Sequence, residues 1–509
     1  MMSIHLMHRI RNSRGTRGAL ILGPVVALIF ATQAFLAPAA GAATLNAQAL
    51  SWGANAYGEI GNGTTTNALS PARVATLPYG VSLVAAGARH SMARKADGSV
   101  VAWGKNGAGE LGNGTTTNSA TPVGVSGLGA GSGVVALSAN APPLSATSVS
   151  GNGHSMALIS DGTVLGWGNN NSGEVGNFSF TDQLTPVGVY GLGAGSGVIA
   201  IAAGGSHSLA LKSDGTVLAW GGNNSGQLGD GTLTGKVIPQ PVPFLGAGSG
   251  VVAIAAGAAF SMALKSDGTV LTWGNNASGQ LGNGTFTDRS VIGFVTNLVG
   301  VKQIAAGGSF ALALLTTGAV KSWGNNASGQ LGDGSAPTDQ PSPVSVYGLS
   351  GFAQISAGFS HGMARKATGS LKAWGRNASG ELGVGTTLQH NTPVTVPLSG
   401  VQMVSAGGAH TVVLQTPVVT IAPLSGPAGT AVTLRGLHFA PGEVVAFTYA
   451  TNLANPPAQT LCTATAGLTG TASCAAHIPT VNQGPAGGHI ITGIGFTSLM
   501  SGTRKYTLT

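Results

Sequence analysis

The chain has 509 residues, of which 84 are glycine and only 7% are charged, against about 25% in an ordinary globular protein. Low charge with 43% hydrophobic residues excludes polyelectrolyte disorder. Glycine without a period of three excludes collagen, and glycine this frequent excludes a helical bundle, because each one inside a helix costs about 1 kcal/mol. The formal charge of +8 is no nucleic-acid footprint, since Arg9, Arg11, Arg14 and Arg17 supply half of it and the rest is dispersed.

Those four arginines open the chain and precede an apolar run from Ala19 to Ala31. Small residues follow, including Ala40-Gly41-Ala42. A basic segment, a short apolar segment and an A-x-A site read as a secretory signal over residues 1–42, cleaved after Ala42. The competing reading is an uncleaved anchor, but Thr32 and Gln33 interrupt the run, and an unbroken span needs about 20 apolar residues. The expected location is therefore secreted or cell envelope, with membrane attachment only if the segment is retained.

Repeats begin next. The 7 tryptophans are Trp52, Trp103, Trp167, Trp220, Trp273, Trp323 and Trp374, and each opens Trp-Gly-x-Asn. A Gly, then Glu or Gln, an aliphatic residue and another Gly follow, as in Gly226-Gln227-Leu228-Gly229. A second landmark ends at His90, His154, His207, Phe260, Phe310, His361 and His410, and the first six of these lie 13 residues before the next tryptophan. Two apolar runs fill the gap, joined by Asp-Gly at 97–98, 161–162, 214–215 and 267–268. Asp-Gly between apolar runs is a hairpin signal, and the constant spacing forbids a register slip that would turn every side chain over. Thirteen residues after His410 stands Pro423, while Trp52 has no landmark before it. The two half-repeats complement each other, so residues 401–415 should pair with residues 46–60 and close a ring, which leaves few exposed edges. The fold class expected is all-β: a seven-bladed β-propeller over 44–416, closed by its own termini and followed by a small β-sandwich.

The run Ala-Gly-x-x-His-Ser, Asp-Gly-x-Val and Trp-Gly-x-Asn-x-x-Gly-Gln-Leu-Gly-Asp-Gly, clearest at 203–231, resembles the regulator of chromosome condensation repeat. The resemblance covers the whole repeat region and implies a seven-bladed propeller. Three departures stand out: an insertion around Ala141 to Val149, Asn177-Phe178 where other repeats have Asn-Gly or Asp-Gly, and Gly383-Val384-Gly385 in the last repeat.

Several repeated residues invite chemical readings. The histidines could form a metal or proton site. Phe260 and Phe310 take the same position, however, and Phe has no nitrogen lone pair, so the position reads as packing. The tryptophans could be a chromophore array; one indole per repeat reads instead as a filler between blades, burying about 150–250 Å² each. Glu59, Glu110, Glu174 and Glu381 alternate with Gln227, Gln280 and Gln330, which argues for turn hydrogen bonds over acid–base work. The glycine runs at 127–133 and 191–197 lack the spacing and the lysine of a phosphate loop and read as blade connections. Asn62, Asn113 and Asn276 lie in N-x-S/T triplets, explained by their regular placement in turns. No catalytic, cofactor or metal set breaks the repeat symmetry. The residues that do differ between repeats follow each tryptophan: Phe178, Phe180, Asp182, Lys236, Phe286, Asp288, Arg289, Asp339, Gln340 and His390. Variable loops on a scaffold carry function, and aromatics with arginine anchor interfaces, so these are the candidate partner-binding residues, expected together on one face.

From Pro417 the repeat stops. Alternation such as Val432-Thr433-Leu434-Arg435, bounded by Gly and Pro, reads as strands of a sandwich over 417–509. The run Gly436-Leu437-His438-Phe439-Ala440-Pro441-Gly442-Glu443 resembles bacterial immunoglobulin-like modules of exported proteins. The chain's 2 cysteines, Cys462 and Cys474, suggest a disulfide in an exported chain and would staple one hairpin there.

These features point to a secreted or cell-surface, non-enzymatic binding protein with a protein or glycan partner and no cofactor. The alternatives are nucleotide exchange on a small GTPase, an activity the family resemblance implies and the export signal opposes, and an enzyme with a site built from loops over the channel.

Overall fold

The computed structural model describes residues 47–509 except 78, 141–152, 336, 440–441, 454–457, 468–470, 481–483 and 496–500. The expected signal segment and the insertion around Ala141 to Val149 lie outside the described residues. Every named element is a strand, and among the described residues no helix is long and apolar enough to cross a membrane.

The repeats fold into four-stranded antiparallel sheets, seven of them among the described residues. Six follow the chain order: the second sheet spans 81–124, the third 134–188, the fourth 198–241, the fifth 251–294, the sixth 301–345 and the seventh 352–396. The fourth shows the plan, with Val198–Ala203, His207–Lys212, Val217–Gly221 and Lys236–Pro241 running from innermost to outermost. The two apolar runs of each repeat are its middle hairpin. His207 pairs with Gly221 and Leu211 with Val217, and Gly215 takes the positive φ of 93° that the turn requires. The first sheet alone is assembled from both ends of the repeat region. Gln48–Gly53 lies between Ala68–Arg73 and His410–Gln415, with Val401–Ala406 innermost. Gln48 stands opposite Gln415 and Gly53 opposite His410, as the two half-repeats required. Innermost strands touch in succession from the second sheet to the seventh, and Val401–Ala406 touches both Phe352–Ala357 and Val81–Ala86.

The core lies between neighbouring sheets. Leu209, Leu211 and Leu228 of the fourth sheet cluster with Ile254, Leu271 and Trp273 of the fifth. All seven indoles are fully buried, and each donates its N–H to a carbonyl of the preceding repeat, as Trp220 does to Glu174 at 2.8 Å. The imidazoles also bridge sheets. Nε2 of His90, His154, His207, His361 and His410 meets the hydroxyl of Ser155, Ser208, Ser261, Thr411 and Ser91 at 2.8, 2.8, 2.9, 3.1 and 2.8 Å. Each hydroxyl donates onward to a turn carbonyl, Ser208 to Glu174 and Ser261 to Gln227 at 2.8 Å, so the imidazole donates its Nε2–H. After Phe260 and Phe310 the receiving positions are Ala311 and Gly362, which have no hydroxyl. The Phe that replaces His is thus matched in the next sheet by loss of the hydroxyl.

Only Thr416 and Pro417 separate His410–Gln415 from the terminal module. There a three-stranded sheet (Val418–Ala422, Ala431–Leu437, Ala472–His477) faces a five-stranded one containing Val444–Ala450 and Ala458–Thr465. The two share one core of Val419, Leu434, Phe439, Phe447, Tyr449 and Tyr506. Cys462 and Cys474 are bonded. The expectation that they staple a hairpin is corrected here. Ala458–Thr465 pairs with Val444–Ala450 and Ala472–His477 with Ala431–Leu437, so the disulfide joins the edge strands of the two sheets.

Candidate functional site

The loop after each tryptophan is built around the asparagine of Trp-Gly-x-Asn, fully buried in every repeat. Asn223 shows the pattern. Its Oδ1 accepts from the Leu228 amide at 2.9 Å, and its Nδ2 donates to the carbonyls of Thr232 and Thr234 at 3.0 and 3.2 Å. One side-chain amide thereby satisfies both arms of a loop whose backbone groups would otherwise be buried unpaired. The Glu or Gln four residues after it accepts from the amide two residues before itself: Glu174 from Ser172 at 2.8 Å and Gln227 from Ser225 at 2.9 Å. Acid and amide do the same work, as their exchange in sequence suggested. Burial pushes the carboxyls of Glu59, Glu110 and Glu381 up, and that of Glu174 to about 7. Arg376 lies 3.4 Å from Glu381.

Between the two pinned carbonyls one residue is pushed outward, and the pinning is the same in successive repeats. This residue is Thr65, Thr116, Phe180, Leu233, Phe286 and Thr387 in the first, second, third, fourth, fifth and seventh sheets. In the sixth the loop is one residue longer and the position falls outside the described residues. Phe180, Leu233 and Phe286 are 62%, 61% and 51% exposed. Identical anchoring sets them on the same face of three consecutive sheets, where the other described loops carry Thr. Sequence reasoning singled out Phe180 and Phe286 but missed Leu233. Aligning the loops on the buried asparagine would have found it.

The structure separates the remaining candidates. Asp182, Asp288 and Asp339 accept from the backbone amides of Asn170, Asn276 and Asn326 at 2.9, 2.7 and 2.9 Å. Asn67 and Asn118 do this in the first two sheets, so these carboxylates belong to the common loop scaffold. Lys236, Arg289, Gln340 and His390 each begin an outermost strand, opposite Gly221, Gly274, Gly324 and Gly375. Lys236 lies 3.7 Å from Asp230. They are partly buried at the base of the loops.

Phe178 occupies a glycine position. Gly63 and Gly231 donate to the outermost strand of the next sheet at 2.8 and 2.9 Å, as Phe178 does to Val237 at 3.3 Å. Phe178 holds φ of 63° where the glycines hold 84° and 80°. Its exposed ring meets Tyr190 edge-on at 4.5 Å. Relief of the left-handed backbone, about 1–2 kcal/mol, opposes loss of the aromatic pair, about 0.5–1.5 kcal/mol. Phe178→Gly should therefore change folding stability by less than about 1 kcal/mol, checked by urea unfolding, and serve as a variant in which only the exposed contact is lost.

The histidines are placed as packing residues, each bonded to a hydroxyl or, at Phe260 and Phe310, replaced by an apolar ring. Asn276, of the N-x-S/T triplets, is buried, and Asn62 and Asn113 cap turns through Thr64 and Thr115 at 3.0 and 3.1 Å. The 127–133 and 191–197 runs connect one sheet to the next. Among the described residues no cluster of His, Cys, Asp and Glu could hold a metal ion.

The RCC1-like domain description matches residues 130–413, and the regulator of chromosome condensation (RCC1) repeat matches 46–94 and 81–110. The chain is 34% identical over 341 residues to the ultraviolet-B receptor UVR8 of Arabidopsis thaliana, covering 66% of this chain and 74% of that one. It is 32% identical to the E3 ubiquitin-protein ligase HERC2 of Homo sapiens, covering 74% of this chain but only 7% of that much longer protein. Among solved structures it is similar to Prp20p from Saccharomyces cerevisiae, with a TM-score of 0.62 and 22% identity over 76% of this chain and 95% of that one. The last likeness shows a shared propeller fold.

Proposed function

The chain belongs to the regulator of chromosome condensation repeat family, and from that premise we propose that it is a non-catalytic ring that binds a partner protein through the crest of Phe180, Leu233 and Phe286. One observation carries this reading. Three consecutive loops with a common anchor expose large apolar residues at the position where the other described loops place Thr, and the seventh loop exposes Leu388 one residue further on. Exposed apolar side chains gathered on one face mark a docking surface. The rigid asparagine ties lower the entropy lost on binding. In this reading the seven sheets are the blades of one closed propeller, residues 1–42 direct export, and 417–509 is an immunoglobulin-like module that projects or anchors the ring. Released and envelope-retained forms both fit.

A GTPase partner is the second reading. Prp20p was described with its binding to Gsp1p and histones, and the same loop face is open to such a partner. The amino-terminal export segment favours a partner outside the cell. A glycan partner fits a flat aromatic platform better than a crest of mixed aromatic and aliphatic side chains.

The test replaces Phe180, Leu233 and Phe286 with Thr, the residue that the equivalent loops already carry. Partner proteins captured from culture supernatant and envelope extracts are identified with the unaltered chain, and their affinities are measured for both chains. The crest predicts a Kd raised by at least about 30-fold, the loss of a single interface anchor or more. Equal affinity for both chains excludes the crest.

A further inference from the structure

The first sheet is the one place in the repeat region where two neighbouring strands share no connecting turn. Gln48–Gly53 and His410–Gln415 pair along their whole length, yet Gln48 and Gln415 are 367 residues apart. In the other six sheets neighbouring strands are consecutive in the chain. Opening the first pair frees an end of the chain without breaking a hairpin, because no turn ties the two strands together. Stability at this pair therefore depends on what else holds the two ends.

The terminal module reaches this pair through His438 and Phe439. The Phe439 ring is buried in the module's own core, which fixes its backbone. Its carbonyl accepts from Arg73 Nη2 at 3.2 Å. Arg73 ends the strand Ala68–Arg73 and stands opposite Leu50 of the amino-terminal strand. His438 Nε2 lies 3.1 Å from Ser399 Oγ and 3.4 Å from Gln415 Nε2. The Gln415 amide also donates to the Ser399 carbonyl at 2.8 Å and accepts from Gln48 Nε2 at 2.7 Å. A continuous path thus runs from Gln48 through Gln415 to His438, and a second from Leu50 through Arg73 to Phe439. His438 holds φ of 71°, a left-handed conformation that a side chain with a Cβ keeps only where its surroundings over-determine it. Burial, with Arg73 nearby, pushes its imidazole down to about 4. The neutral ring then has a lone pair to accept from Ser399 and Gln415.

We infer that His438 and Phe439 are a latch, by which the terminal module holds the amino-terminal strand Gln48–Gly53 in the first sheet. The module is then a lock on the closing seam in addition to any role in projection. This inference is independent of the partner-binding crest, whose residues lie on the third, fourth and fifth sheets.

Hydrogen exchange of the full chain tests it. In the Arg73→Ala/His438→Gly variant, amide protection at 48–53 should fall at least tenfold while protection at 207–221 stays unchanged. Unchanged protection at 48–53 overturns the latch. If the double variant loses protection at 207–221 as well, Ser399→Ala decides, because it removes one contact from an exposed side chain. A selective fall at 48–53 supports the latch, and no change there overturns it.

Discussion

Acidification from pH 6.5 to pH 4 should destabilise the repeat region. The imidazoles of His154, His207, His361 and His410 are pushed down to about 3 and that of His90 to about 4, in each case chiefly by burial. Their Nδ1 atoms at 154, 207, 361 and 410 have no partner among the described residues, so nothing offsets the charge of an added proton. A folded pKa below the ordinary value of about 6.5 gives a contribution that is full above pH 6.5 and lost as pH falls toward the folded value. The buried glutamates oppose this. Glu174, raised to about 7, favours the folded state as pH falls to about 4.5, and Glu59, Glu110 and Glu381 shift in the same direction. Five histidines against four raised carboxyls, only one of them raised to about 7, leave a net uptake of about one to four protons on unfolding, roughly 1–5 kcal/mol per pH unit. Urea midpoints measured between pH 7 and pH 4 should fall. A flat profile to pH 4 would show that the imidazoles charge inside the fold. His207→Phe with Ser261→Ala copies the Phe260–Ala311 arrangement that the chain already contains. It should fold and lower the pH slope by about one proton, whereas His207→Phe alone leaves the Ser261 hydroxyl donating to Gln227 with nothing to accept from.

Trp220→Ala should cost about 3–5 kcal/mol, the loss expected for a large aromatic deleted from a packed core. The indole fills the seam between the third and fourth sheets, against Val164, Val189, Leu192 and Ile201. Gly176 of the preceding repeat lies so close that a Cβ there would meet the indole at 2.7 Å, so the turn cannot simply collapse into the space. Its N–H also satisfies the Glu174 carbonyl. Trp220→Phe keeps most of the volume, loses that bond and should cost less than half as much. Urea unfolding followed by circular dichroism measures both. A cost under about 1 kcal/mol for Trp220→Ala would mean that neighbouring sheets slide together, contrary to the packing seen. By contrast Phe180→Thr, on the exposed crest, should stay within about 0.5 kcal/mol.

Much of this arrangement was legible from spacing. The 13 residues between landmark and tryptophan are the middle hairpin of each sheet, so a constant count translates directly into strand register. The unmatched Trp52 and His410 announced the pairing of Gln48–Gly53 with His410–Gln415, because each supplied the half-repeat the other lacked. Exchange of Glu with Gln keeps the turn hydrogen bond, and exchange of His with Phe keeps a buried ring while the hydroxyl it would have met is absent, so both exchanges pointed to structural positions. Other features could not be read from residue type. Asp182, Asp288 and Asp339 looked like departures from the repeat, yet a carboxylate and an asparagine amide cap the same backbone N–H, so chemically different residues hid a conserved role. Leu233 was overlooked for the opposite reason: an aliphatic residue gives no chemical signal until its loop is aligned by its anchor. The disulfide and the His438–Phe439 contact depend on which sheet each strand joins, and short alternating strands leave that pairing open.

The most direct test of the partner-binding crest is site-specific photocrosslinking. A photoreactive phenylalanine analogue is placed at Leu233 in one chain and at Thr116, the same loop position two sheets away, in another, and both are irradiated with the protein's native extracts. The crest predicts one discrete adduct from position 233 and none from 116. Equal adducts from both positions, or an adduct from 116 alone, would contradict it.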